Sequence, residues 1–368
     1  MRNMIIDIHA HAFPHQGGAA GHKDAQTYLM MQQSRVHNWW GRMVTNTLDR
    51  KYIPNPGEDV AFRVGKYGRY YWTKHGIECW LQRCPTIMGE MEWPPEQMMA
   101  FMDEVGVDKA ILQAGGTYAG YMEMNYCREY FADCMKRWPD RFFGTITIDY
   151  DIQKSEDYRE AELRKLRDSV THTGMRGVID SYPIGQKIDD DKFEPLWDEI
   201  SRLKVPYFFI ISARPAGVTD PKKDYLESLR QVENVLKRFP DVNGIMESLG
   251  GNVKPPDDPN YTDTPKALSG YLKLPNAYFE VGYVLAFENW ARWKENYEYP
   301  YPLHTKMVRE MYDQVGAEKF LWGADMPFTY RTCTYRQCLD TVRLHFDFMS
   351  EEEKALILGK NAAKLFRI

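Results

Sequence analysis

Met4-Ile5-Ile6-Asp7-Ile8-His9-Ala10-His11-Ala12-Phe13-Pro14 is a short strand that runs straight into two histidines. Side chains at i and i+2 of a strand share a face, so His9 and His11 project together from its C-terminal end. The same stretch narrows the fold. A doubly wound dinucleotide-binding sheet has a glycine-rich phosphate loop after its first strand, and here His-Ala-His-Ala-Phe-Pro stands in that place. Working outward, short apolar runs recur near residues 111, 145, 178, 209, 245, 279 and 321. Helix-length amphipathic segments separate most of them, among them 94–106, 125–138, 156–171, 193–203, 224–238 and 302–316. Strands divided by helices make βαβ units and a parallel sheet covered on both faces. Eight such strands close a (β/α)8 barrel. The sequence therefore predicts one α/β domain over residues 1–368, a distorted TIM barrel with insertions at about 15–93 and 252–274. Both insertions follow C-terminal strand ends, where barrel active sites are built.

Composition removes several other classes. With 43% hydrophobic and 27% charged residues, the chain is neither a disordered segment nor a small disulfide scaffold. A formal net charge of −5 argues against a nucleic-acid partner. The N-terminus lacks a secretory apolar region, and no window approaches the ~18 apolar residues of a membrane span. The six cysteines form no CxxC pair and are expected to be reduced thiols, which points to a cytoplasmic protein. Aromatics reach 14%, and the first insertion holds many of them, including Trp39, Trp40, Tyr70, Trp72, Trp80 and Trp93. They suit a lid stacking on a planar substrate, or a face packed against a partner subunit.

The chemistry rests on few residues. Two imidazoles on one face of a strand end can share a divalent metal, and the bland alternative is two core histidines satisfied by hydrogen bonds. In Phe320-Leu321-Trp322-Gly323-Ala324-Asp325-Met326-Pro327-Phe328, Asp325 stands just past the last strand, as base, ligand or turn cap before Pro327. Arg214, just past the fifth strand, suits bidentate capture of a substrate carboxylate or a surface ion pair. Arg331 and Arg336 invite the same two readings.

These residues carry a resemblance. The chain resembles the amidohydrolase superfamily, in the branch of aminocarboxymuconate semialdehyde decarboxylase and the hydroxybenzoate decarboxylases. The motifs are Ile6–His11, Gly106-Val107-Asp108-Lys109-Ala110, Trp138-Pro139-Asp140-Arg141-Phe142, Gly174-Met175-Arg176-Gly177-Val178, Leu249-Gly250-Gly251, Gly323–Phe328 and Gly359–Phe366, in the family's order. The resemblance implies a distorted barrel in which His9, His11 and Asp325 hold a divalent metal, zinc by expectation, with Asp325 also moving the proton. It implies a small-molecule substrate, a carboxylated aromatic or ring-cleavage compound that is hydrolysed or decarboxylated without oxidation, and a homodimer. The chain departs from the family at two places where histidines are usual. Strand five ends Ile211-Ser212-Ala213-Arg214, and strand six reads Met246-Glu247-Ser248-Leu249. Ser212 and Ser248 stand in or near the histidine positions as substrate-binding candidates, and Glu247 offers an extra carboxylate ligand. A metal-independent, lactonase-like hydrolase and a non-catalytic binding barrel are the alternatives.

Overall fold

A computed structural model of the chain describes residues 3–15, 22–40, 44–83, 85–88, 92–113, 124–149, 152, 154–179, 187–210, 221–247, 264–282 and 298–368. Ser212, Arg214 and Ser248 lie outside the described residues.

Strand β1 (Ile6–Ala10) is followed by helix α1 (Ala25–Trp39) and four short strands: β2 (Val44–Thr45), β3 (Arg63–Val64), β4 (Arg69–Lys74) and β5 (Ile77–Gln82). Then α2 (Pro95–Val105), β6 (Lys109–Leu112), α3 (Met124–Arg137), β7 (Phe142–Thr147), α4 (Glu156–Asp168) and β8 (Gly177–Ile179) alternate. The alternation continues through α5 (Glu194–Leu203), β9 (Tyr207–Phe209), α6 (Pro221–Arg238), β10 (Gly244–Met246), α7 (Thr264–Leu272), β11 (Ala277–Gly282), α8 (Pro302–Val315) and β12 (Phe320–Gly323). Helices α9 (Tyr335–His345), α10 (Glu351–Ala355) and α11 (Asn361–Phe366) end the chain.

Eight strands form one parallel sheet in the order β1-β6-β7-β8-β9-β10-β11-β12. The ends meet where Ala10 bridges Met326, Asp325 N–H donates to His9 O at 2.7 Å and His11 N–H donates to Met326 O at 2.8 Å. This is the TIM barrel expected from the alternation, and each of the eight apolar runs is one of its strands. Their nearly continuous burial follows from having packed layers on both faces. In the 252–274 segment, Thr264–Leu272 is the crossover helix between β10 and β11.

Between β1 and α2 the chain makes α1 and an antiparallel sheet in the order β2-β5-β4-β3. Its central hairpin turns at His75-Gly76, with φ of 52° and 73°. Two consecutive positive values make the tight turn whose twist matches the flanking strands. Tyr70 and Trp72 of β4 and Cys79 and Leu81 of β5 alternate inward and join the barrel's own hydrophobic core. On the other face Arg69 lies 4.2 Å above the Trp80 ring and Arg63 lies 4.8 Å above Tyr71. These aromatics therefore serve the packing of the segment itself, and Trp93 is also fully buried.

Candidate active site at the mouth of the barrel

The closing hydrogen bonds between β1 and β12 are also what places the candidate residues. Asp325 has a left-handed backbone, φ 58°, which costs a non-glycine residue roughly 1 kcal/mol. Its N–H to His9 O and the Thr329 N–H to its own carbonyl at 3.0 Å hold it there. The carboxylate is thereby turned toward the two histidines. His11 Nε2 is 2.9 Å from Asp325 Oδ1, and His9 Nε2 is 3.6 Å from the same oxygen. The two rings meet edge to face with centroids 5.2 Å apart.

Each ring has its other nitrogen engaged. His11 Nδ1 is 3.1 Å from the backbone carbonyl of Gln113. A carbonyl only accepts, so Nδ1 carries the hydrogen and Nε2 offers a lone pair to Asp325. A lone pair and a carboxylate oxygen at 2.9 Å need a shared proton or cation between them. His9 Nδ1 faces both oxygens of Glu280, at 3.0 and 3.2 Å. Among the described residues, two groups have ligand atoms within 4.8 Å of one another: His9, His11 and Asp325, and His9, Glu247 and Glu280. All five side chains are buried. The donor set of two imidazoles and a carboxylate therefore fits a divalent metal, with hydrogen bonds already fixing the rings behind it.

Glu247 is buried and gathers with Glu280 and His9, a second group that shares His9 with the first. Glu280 was not singled out in the sequence. Burial, with the charges of Glu247, Asp7 and Asp325, pushes its carboxyl well above the ordinary range. Burial, with His11 adding, holds His9 well below the usual imidazole value. Asp7 is fully buried and is raised to about 7 by burial, against hydrogen bonds from His9 N–H, the Tyr335 hydroxyl and Ala324 N–H. Gly323 gives this cluster its room. A Cβ there would lie 2.8 Å from both Glu280 Cδ and His9 Cβ.

Of the arginines after Asp325, Arg331 belongs to the site. Its Nη2 is 3.5 Å from Asp325 Oδ2, and its Nε donates to Phe328 O at 3.1 Å. Arg336 turns away, donating to Glu104 O at 2.8 Å on the surface. Phe328 lies beside His11 at 5.4 Å and stacks on Phe13, giving one wall of the site a flat apolar character.

The amidohydrolase family model matches residues 6–368. The chain belongs to the amidohydrolase family. As a member it is an enzyme whose chemistry is that of a hydrolase or decarboxylase. A search of curated sequences finds no match. Several solved structures share the fold. The 5-carboxyvanillate decarboxylase of Novosphingobium aromaticivorans, complexed with manganese and 4-hydroxy-3-methoxy-5-nitrobenzoic acid, is 16% identical with a TM-score of 0.60, covering 100% of this chain and 96% of its own. The 2,6-dihydroxybenzoate decarboxylase from Rhizobium is 14% identical with a TM-score of 0.54, covering 75% and 89%. A probable 2-pyrone-4,6-dicarboxylic acid hydrolase from Acinetobacter baumannii, with citric acid bound, is 14% identical with a TM-score of 0.58, covering 99% of each chain. This amidohydrolase has no helix, among its described residues, long and apolar enough to cross a membrane.

Proposed function

We propose that this amidohydrolase removes carbon dioxide, without oxidation, from a small planar carboxylated aromatic or ring-cleavage acid. Asp325 carries the proton, at a centre where His9, His11 and Asp325 hold a divalent metal. The observation that carries the reading is the convergence of both imidazole Nε2 atoms on Asp325 Oδ1, at 3.6 and 2.9 Å, in a buried mouth. Zinc and manganese both suit such a nitrogen and oxygen donor set, so the zinc expected from the sequence is one of two candidates. When bound, the metal polarises a substrate oxygen or lowers the pKa of a water.

The protein's own groups do the rest. Gln113 O and Glu280 orient the two rings. Phe328, backed by the fully buried Phe13, offers a flat wall to a planar ring, and Arg331 is a cation within reach of the substrate's acidic edge. Arg214 is assigned a further substrate carboxylate, and Ser212 and Ser248 are the remaining substrate-binding candidates from the sequence. Asp325 in its acid form delivers a proton to the ring carbon that bears the carboxylate. The carbon–carbon bond then breaks, its electron pair restores the ring, and carbon dioxide leaves. Asp325 is left as a carboxylate and regains its proton from water.

A second reading, hydrolysis of a lactone or related ester with or without a metal, draws support from Glu247 and Glu280. These carboxyl groups stand beside the same imidazole. In that version Asp325 removes a proton from the attacking water.

The test is a substrate panel of hydroxybenzoates, carboxyvanillates and pyrone dicarboxylates, followed by ultraviolet absorbance and carbon dioxide release. Decarboxylation gives one carbon dioxide per turnover and, in D2O, a product deuterated at the vacated carbon. Ring opening without carbon dioxide selects hydrolysis. Asp325→Asn should lower turnover by roughly 100- to 10,000-fold in either case, and unchanged turnover would remove the mechanism.

A further inference from the structure

We infer that Glu280 is the positioning residue for His9, holding the hydrogen on Nδ1 so that Nε2 is the atom presented to Asp325. What Nε2 then meets rests on the proposed metal centre, but the placement of the hydrogen does not. Glu280 Oε1 and Oε2 lie 3.0 and 3.2 Å from His9 Nδ1. A carboxyl group donating its own O–H to the ring would bring one oxygen close and swing the other away. Nearly equal distances belong to a single N–H directed between two accepting oxygens. On the opposite side of the ring, 3.6 Å from Nε2 to Asp325 Oδ1 is too long for a hydrogen bond between them.

The placement of Glu280 in the fold points the same way. It is a fully buried carboxyl within the otherwise apolar strand Ala277-Tyr278-Phe279-Glu280-Val281-Gly282, where an acid costs stability unless it has a partner. The neighbouring strand is arranged to admit it. Gly282 pairs with Gly323 across β11 and β12, and a side chain at Gly323 would occupy the space in which Glu280 and His9 meet. His11 is treated in parallel, with its Nδ1 engaged by Gln113 O at 3.1 Å. Both rings are thus fixed from behind, by a backbone carbonyl in one case and by the carboxyl oxygens of Glu280 in the other. Fixing the distal nitrogen sets the tautomer and raises the ligand strength of the proximal one.

The experiment compares wild type, Glu280→Gln and Glu280→Leu by three readouts. The first is the His9 ring tautomer in metal-free protein, from two-bond nitrogen–proton NMR correlations assigned by their loss in His9→Ala. The second is Mn2+ affinity by electron paramagnetic resonance of the free ion. The third is unfolding of the metal-free protein. Wild type is expected to carry the hydrogen on Nδ1. Glu280→Leu should lose that preference and bind Mn2+ about 10- to 100-fold more weakly, with metal-free stability kept or raised. Glu280→Gln should retain the tautomer, because its amide oxygen still accepts, and should lose less affinity than the leucine variant. A wild-type hydrogen on Nε2 overturns the inference, as does an unchanged tautomer in Glu280→Leu. So does a glutamine variant as weak as the leucine one with metal-free stability lost in both. If wild type binds no Mn2+, the metal of the proposed function fails, and the tautomer comparison alone decides the role of Glu280.

Discussion

Asp7 and Tyr335 are joined by a buried 2.8 Å hydrogen bond, the Tyr335 hydroxyl donating to Asp7 Oδ2. The other carboxyl oxygen, Oδ1, takes His9 N–H at 2.9 Å and Ala324 N–H at 3.0 Å. One side chain thus ties the first strand, the last strand and helix α9 together, one residue short of Asp325. The distance between the histidines and Asp325 depends on that tie. Replacing Tyr335 with Phe leaves a buried carboxyl with one donor fewer, at a cost of roughly 1–3 kcal/mol in denaturant unfolding. Asp7→Ala, which removes all three bonds, is expected to cost more and to lower turnover as well.

Gly323→Ala separates site geometry from folding. The added Cβ falls 2.8 Å from Glu280 Cδ and from His9 Cβ, so the two side chains must part. The variant is expected to fold and to lose metal affinity by at least about tenfold. Equilibrium dialysis against Mn2+ or Zn2+ checks this. Affinity equal to wild type would mean the cluster relaxes freely around the methyl group.

His304 on α8 gives the protein an acid-sensitive point. The ring is fully buried, stacks on Phe346 at 6.0 Å, and burial pushes its pKa down to about 3. The unfolded chain takes up this proton near pH 6.5, well before the folded protein does. Stability from this site is therefore complete above pH 6.5 and falls as the pH drops toward 3, by at most about 5 kcal/mol. His304→Leu should flatten the acid limb of stability against pH by close to one proton. An unchanged slope would show that the ring titrates normally in the folded state.

These expectations draw on a fold largely legible in the sequence. Strands buried on both faces become apolar runs of recognisable length, and Pro, Gly and charged helix segments separate them cleanly. The alternation Asp7, His9, His11 survives in the structure even though the β1–β6 register shifts between Asp7 and Ala10. Other features were harder to see. The hairpin at His75-Gly76 carries a period-two pattern in Tyr70, Trp72, Cys79 and Leu81, but the aromatic content of the segment draws the eye to ligands and interfaces instead of to its own core. Glu280 had a signal too, as the lone acid in an apolar strand. The two missing histidines belong to strands five and six, whereas Glu280 stands on the seventh barrel strand. The meeting of Glu247 with His9 and Glu280 depends on strand register, which one sequence does not reveal.

The most direct measurement of the central claim is the divalent metal content of protein purified without added metal, alongside that of His9→Ala, His11→Ala and Asp325→Asn. Elemental analysis should give about one equivalent of zinc or manganese per chain in wild type, and a marked loss in each variant. Removal by a chelator should abolish turnover, and either ion should restore it. A wild type that carries no metal, and turns over undiminished in chelator, would contradict the account.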